Sequence, residues 1–267
     1  MLNELKNFLR LIYQHKHLIL SMAKREVARR YVGSFLGIVW TLIHPMMMIF
    51  VFWFVFSRGF RVQPVGDVPF VVWLTAGMAP WFLFADIING SSMIIIEHAN
   101  LIKKTLFPVQ ILPFIKLVSC SITHSIFLFL LLFLISSQHM SFSYYFIQFS
   151  YYFLALLIFS LGISWAISSL NVFVRDVGQM TAVIIQLGFW ATPIFWNIDT
   201  MPPKIQLILK INPIFYIING YRESFIYFIP FWDHPKHTAY FWTVTLFTFL
   251  GGAFIFKKLK PQFADAL

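Results

Sequence analysis

Long blocks of apolar residues separated by short polar intervals dominate the chain. Six of them reach the roughly 17–25 residues that a helix needs to cross a hydrocarbon core about 30 Å thick. They run approximately over 35–56, 70–96, 109–135, 144–170, 180–196 and 240–256. The blocks lack the period-2 alternation of a membrane barrel, and open sheet edges are not tolerated in lipid, so they predict helices. Ahead of the first block, Leu2, Leu5, Leu9 and Ile12 recur at helical spacing opposite Lys6, Asn7, Arg10 and Gln14. That pattern predicts an amphipathic helix lying in the membrane interface. The stretch 197–238 is too apolar for a solvated loop, yet Pro202, Pro203, Pro213 and Pro230 interrupt it. They leave pieces of about 9 and 16 residues, each too short to cross. Two short re-entrant helices dipping into the outer leaflet are expected there, between spans five and six. Their ends need cover from protein or a water-filled cavity, which makes Tyr221, Arg222 and Glu223 candidates for a pathway mouth.

Composition agrees with the pattern. Of 267 residues, 59% are hydrophobic and 11% charged, with a mean hydropathy of +0.77. These values describe an all-α integral membrane protein rather than a soluble domain. No boundary divides it, so one transmembrane domain over 1–267 is expected, with a polar segment at 1–34, six spans within 35–256 and a tail at 257–267. The net charge of +10 changes the picture through its placement. With both ends on one side, that side carries 13 Lys and Arg against 6 on the other, with Lys116 inside a span. The positive-inside rule then predicts cytoplasmic termini. The first apolar run follows 34 mostly polar residues, with no A-x-A site after it, so no cleavable signal is expected. Cys120, the single cysteine, lies within a span and reads as a small core residue.

Candidate chemistry is sparse. The sequence has no GxxxxGK[ST] phosphate loop, no HExxH, no nucleophile elbow and no His/Cys cluster, so neither ATPase activity nor a metal site is expected of this chain. Ionisable groups within spans are few: His44, Asp86, Lys116 and His124. Asp86 suits a helix contact or a conduit lining, and Lys116 lies near enough to a helix end to snorkel to headgroups. Aromatics are dense, with 33 Phe and 9 Trp. Most suit interfacial belts and lipid-facing packing. Trp40, Trp73, Trp81 and Phe84 are candidates to line a conduit, where rings would stack on the apolar faces of sugars. The basic segment with Lys24, Arg25, Arg29 and Arg30 suits either anionic headgroups or a cytoplasmic partner.

Four stretches, "RRYVGSFLGIVWTLIHP", "NLIKKTLFPVQILP", "NVFVRDVGQ" and "NPIFYIINGYRESF", occur in the order and spacing seen in membrane subunits of bacterial type-2 ABC transporters that export polysaccharides. The chain resembles the permeases of capsule, O-antigen and teichoic acid export over essentially its whole length. The resemblance implies a homodimeric half-transporter with two copies of a separate subunit that binds ATP and Mg. It identifies 97–107 as a coupling helix resting in a groove of that ATPase, through Glu97, Asn100, Leu101, Lys103, Lys104 and Phe107. Arg175 and Asp176 would form a second contact. The first helix and basic segment would be an interface helix and entrance gate, where a lipid-linked diphosphate meets Arg25, Arg29, Arg30 and Tyr31.

The expected function is export of lipid-linked polysaccharide across the bacterial cytoplasmic membrane, driven by ATP hydrolysed in the partner. Two alternatives stay open: a membrane enzyme acting on lipid-linked sugars, with Glu223 and Asp233 as its least implausible carboxylates, and an exporter of drugs or small lipids. Nucleic acid is not an expected partner.

Overall fold

The computed structural model describes residues 2–30, 32–62, 68–105 and 107–267, and no strand occurs among them. An amphipathic pair, α1 (Leu2–Gln14) and α2 (Lys16–Arg29), precedes α3 (Trp40–Trp53), which continues as a π-helical turn at Phe54–Gly59. Then come the long α4 (Phe70–Glu97), the short α5 (Ala99–Lys104), α6 (Leu112–Ser137), α7 (Phe149–Phe173) and α8 (Asp176–Ala191). The last third holds α9 (Pro203–Lys210), α10 (Pro213–Arg222) with a π-helical turn at Glu223–Tyr227, α11 (Pro235–Leu259) and α12 (Phe263–Ala266).

Among the described residues, five helical segments are long and apolar enough to cross a membrane: 40–59, 70–97, 109–137, 144–173 and 235–266. The expected first span begins later than 35, because Gly33 and Gly37 adopt positive φ of 82° and 50° and turn the chain just before Trp40. The sixth begins five residues earlier, with Pro235 at the start of α11, where its missing N–H costs nothing. The fifth differs most. Helix α8 has 16 residues, about 24 Å at 1.5 Å per residue. Pro193 forces the preceding Thr192 into an extended conformation, ψ 137°, so residues 192–196 of the expected span are not helical. The prolines at 203 and 213 divide the following segment as the sequence predicts.

Helix α4 is the axis of the bundle. It packs against α6, α7, α8 and α10, and twenty of its residues are buried. Helix α2 lays Ile19, Ala23 and Val27, spaced by four, against α6. Helices α7 and α11 approach most closely at Gly162 and Gly252, where a Cβ on Gly252 would strike the Gly162 carbonyl. Small residues here let two backbones meet where lipid offers no hydrophobic drive for helix association.

Candidate functional site

Three charged residues near the end of α2 meet partners on α4 and α6. Lys116 Nζ of α6 donates to Glu26 Oε1 at 2.6 Å, and both side chains are nearly covered. To get there, Lys116 passes over Gly90 of α4, where any Cβ would collide with its Cε. Lys116 thus turns inward instead of snorkelling to the surface, because an anionic partner lies buried within its reach. Burial of Glu26 raises its pKa, but the hydrogen bond and charge of Lys116, helped by Arg29 and His98, outweigh this and hold the carboxyl below its ordinary value. Arg29 Nη2 lies 3.7 Å from Glu97 Oε2, and Arg30 Nη1 lies 3.5 Å from Asp86 Oδ2, both at exposed positions. Arg30 also reaches Cys120 Sγ at 3.8 Å. Asp86 and Glu97 are 11 residues apart on α4, about 17 Å along the helix. Two adjacent arginines therefore point in opposite directions along one helix. Arg30, Asp86, His44, Thr41 and Thr123 line a cavity of about 280 Å³ beside this contact.

The same end of the bundle carries the expected coupling residues. Glu97 is the last residue of α4, and at His98 (φ −104°, ψ 20°) the helix breaks before α5. His98 Nδ1 bonds the Ile94 carbonyl at 2.9 Å. Asn100, Lys103 and Lys104 are exposed on α5, Leu101 is half-buried, and Phe107 packs half-buried against the core. Arg175, in the turn between α7 and α8, and Asp176, the first residue of α8, are exposed and form no ion pair with each other. Asn171 holds that turn to α4: its Nδ2 donates to the Ser92 carbonyl at 2.8 Å, and its Oδ1 accepts from Gly178 N at 2.8 Å. Arg25 is exposed, and Tyr31 lies outside the described residues.

At the opposite end, Arg222 is buried and passes over Gly77 of α4. Its Nη1 and Nη2 donate to the carbonyls of Pro193 and Ile194 at 2.9 and 2.6 Å, and its Cζ sits 3.5 Å from the Trp73 ring centroid. These are carbonyls freed where α8 stops, so one guanidinium satisfies non-helical backbone and stacks on an aromatic face. Arg222 consequently does not face an open mouth as expected. Its neighbour Glu223 points elsewhere, accepting from Tyr152 Oη and Asn219 Nδ2 at 3.2 Å each, with His234 Nε2 also at 3.2 Å. Burial pushes the Glu223 carboxyl up, against the charge of His234 and these hydrogen bonds. Glu223 borders a pocket of about 20 Å³, room for one water. Tyr221, also buried, meets His124 Nε2 at 3.1 Å.

The aromatics separate by location. Trp40 is exposed on α3. Trp73 is buried with one face covered by Arg222. Trp81 and Phe84 are buried in the chain and line an apolar cavity of about 340 Å³ with Phe159, Ile184 and Gly188.

Glu26, Gly77, Gly90 and Asn171 carried no functional signal in the sequence reading. An acidic residue in a basic amphipathic helix, spaced to share the α2 face that bears Ile19, Ala23 and Val27, is the signal that would have marked Glu26. Asn171 opens the stretch NVFVRDVGQ, in which the resemblance implies roles for Arg175 and Asp176.

Residues 17–226 match the family described as ABC-2 type transporter. The chain is 29% identical over 261 residues to the O-antigen export system permease protein RfbA of Myxococcus xanthus, covering 96% of this chain and 97% of that protein. It is 30% identical over 258 residues to the protein of the same name from Klebsiella pneumoniae, covering 94% and 95%. Polysialic acid transport protein KpsM of Escherichia coli is 21% identical over 202 residues, covering 75% and 78%.

Proposed function

Because the chain belongs to the ABC-2 type transporter family and is a multi-pass membrane protein, we propose that it is the transmembrane subunit of an ATP-driven exporter of lipid-linked polysaccharide. The likeness to O-antigen export permeases over nearly the full length of both chains carries this reading. The work is conformational: two copies of this chain form the transmembrane pathway in the bacterial cytoplasmic membrane, with termini inside and 197–238 re-entering from outside. Two copies of a separate subunit bind ATP and Mg. Closure of those subunits pushes on Glu97, Asn100, Leu101, Lys103, Lys104 and Phe107, and on Arg175 and Asp176. The break at His98 supports this, since a short α5 set off from α4 is a rigid piece that a partner groove can grip. The Asn171 bridge gives the second contact a direct hold on α4. Arg25, Arg29, Arg30 and Tyr31 form the entrance for the anionic headgroup, and Trp40, Trp81 and Phe84 flank the conduit.

The test is co-purification and turnover with the ATP-binding subunit. The chain alone should hydrolyse no ATP, and Phe107→Ala should weaken coupling more than Lys103→Glu or Lys104→Glu, since buried interface aromatics outweigh exposed charges. Full export by Phe107→Ala at normal protein levels would count against the coupling role of the segment 97–107.

A further inference from the structure

Helix α2 holds its partners in two physically different ways. The Glu26–Lys116 pair is short, covered and pinned over Gly90, whereas the pairs Arg29–Glu97 and Arg30–Asp86 are longer and exposed. Exposed ion pairs contribute little and are open to competition from other ions. A phosphorylated headgroup offers several oxygens to the planar forks of two adjacent arginines, a better acceptor set than one distant carboxylate oxygen. The cavity lined by Arg30 and Asp86 holds far more than one water and lies next to the pair.

Glu97 has a further property. It is an anion in the last turn of α4, the negative end of the helix dipole, where a carboxylate is unfavourable unless a cation offsets it. Arg29 supplies that cation. Withdrawing Arg29 would leave Glu97 opposed by the dipole at the turn before the α4–α5 junction.

We propose that Arg29 and Arg30 form an anion-exchange relay in which a lipid diphosphate headgroup takes the two guanidinia from Glu97 and Asp86, and the released Glu97 loosens the junction that leads into α5. The Glu26–Lys116 anchor keeps α2 seated, so only the arginine side chains change partner. The inference rests on the entrance role given above to Arg29 and Arg30, and adds a signal from headgroup occupancy to the coupling segment. By reciprocity, whatever weakens the internal pairs tightens headgroup binding.

The experiment uses the full chain with its ATP-binding subunit in nanodiscs, carrying Cys120→Ser and a nitroxide at Thr105→Cys, an exposed site just past α5. A polyprenyl diphosphate is titrated in one arm and inorganic pyrophosphate in the other. The lipid should mobilise the nitroxide, and Glu97→Gln and Asp86→Asn should each lower the half-saturating concentration about three- to tenfold. In Glu97→Gln the label should stay ordered throughout the titration, because no carboxylate remains for the helix dipole to oppose, and tighter binding with a silent label is a combination that mere structural damage would not produce. Arg29→Gln should raise that concentration about tenfold. An equal response to pyrophosphate supports the exchange with the diphosphate alone as ligand; a response to the lipid alone assigns the source to the membrane. If the lipid binds Glu97→Gln and the parent equally and leaves the parent's label unmoved, while Arg29→Gln with Arg30→Gln abolishes binding, the relay is wrong and the entrance stands. Undiminished binding to that double variant would overturn the entrance and the relay together.

Discussion

Two long buried cations cross α4 over glycines, Arg222 at Gly77 and Lys116 at Gly90, 13 residues or about 20 Å apart. They are held by different means. Arg222 has no carboxylate within ion-pair distance among the described residues. It rests on the carbonyls of Pro193 and Ile194 and on the Trp73 ring. Lys116 is paired with Glu26 on another helix. A cation on backbone carbonyls has no exchangeable partner: the peptide groups cannot be protonated or withdrawn, so the α10 end is fixed architecture. A cation on a side-chain carboxylate sits in a neutral pair that a proton or a charge change can break. The end that carries α5 and the arginines is thus the one whose helix contacts respond to conditions.

The largest effect should follow from breaking the fixed end. Arg222→Ala leaves two buried carbonyls unpartnered and exposes the Trp73 face to a void, a loss of about 3–5 kcal/mol, enough to remove most folded protein from the membrane fraction. Arg222→Lys keeps the charge but not the fork, and should recover only part of the melting temperature in detergent.

Next comes the paired end. Lys116→Met strands Glu26, and Glu26→Met strands Lys116. Each should destabilise by roughly 2–4 kcal/mol, whereas the double change to Met should cost far less, because a well-packed apolar pair can replace a buried ion pair. Thermal melts of the four proteins form the double-mutant cycle. No double change at Arg222 and its carbonyl acceptors can be made in this way, which is the sharpest form of the contrast.

Gly90→Ala should cost less again, on the order of 1–3 kcal/mol, as its methyl group displaces the Lys116 chain without deleting either charge. Paired with Lys116→Met it should become milder, since the shorter-range obstruction then meets a side chain with no fixed partner.

Acid should give the smallest effect. Because the folded pKa of Glu26 lies below its ordinary 4.5, its contribution is complete above that value and is lost as pH falls through the lower folded one. The melting temperature of the parent should therefore fall as pH drops below about 4.5, and this acid-dependent fall should shrink in the double Met variant.

Much of the fold was legible because a bilayer imposes one simple demand, length of apolar run, and each of the five qualifying segments among the described residues begins within five residues of an expected span. The helix of the expected fifth span ends at Ala191, ahead of Pro193, a boundary that hydropathy overlooks because residues 192–196 remain apolar whether helical or not. The short helices of 203–222 were legible through their prolines. The site was legible by segment and not by contact. Arg222 and Glu223 are adjacent in sequence but separated by about 100° around a helix, so one turns to α4 and the other to α7 and His234. Lys116 was misjudged because snorkelling is the default for a lone lysine, and its partner lies 90 residues away on a helix expected at the surface.

On the function proposed above, this chain moves lipid-linked polysaccharide only when a separate ATPase acts on it. The direct measurement is the ATP-dependent appearance of lipid-linked polysaccharide at the far face of proteoliposomes containing the chain and its ATP-binding subunit. Transport should require both proteins and hydrolysable ATP, and should fall sharply in Phe107→Ala while the chain remains in the membrane. Translocation by the chain alone, or at an equal rate without nucleotide, would contradict the account.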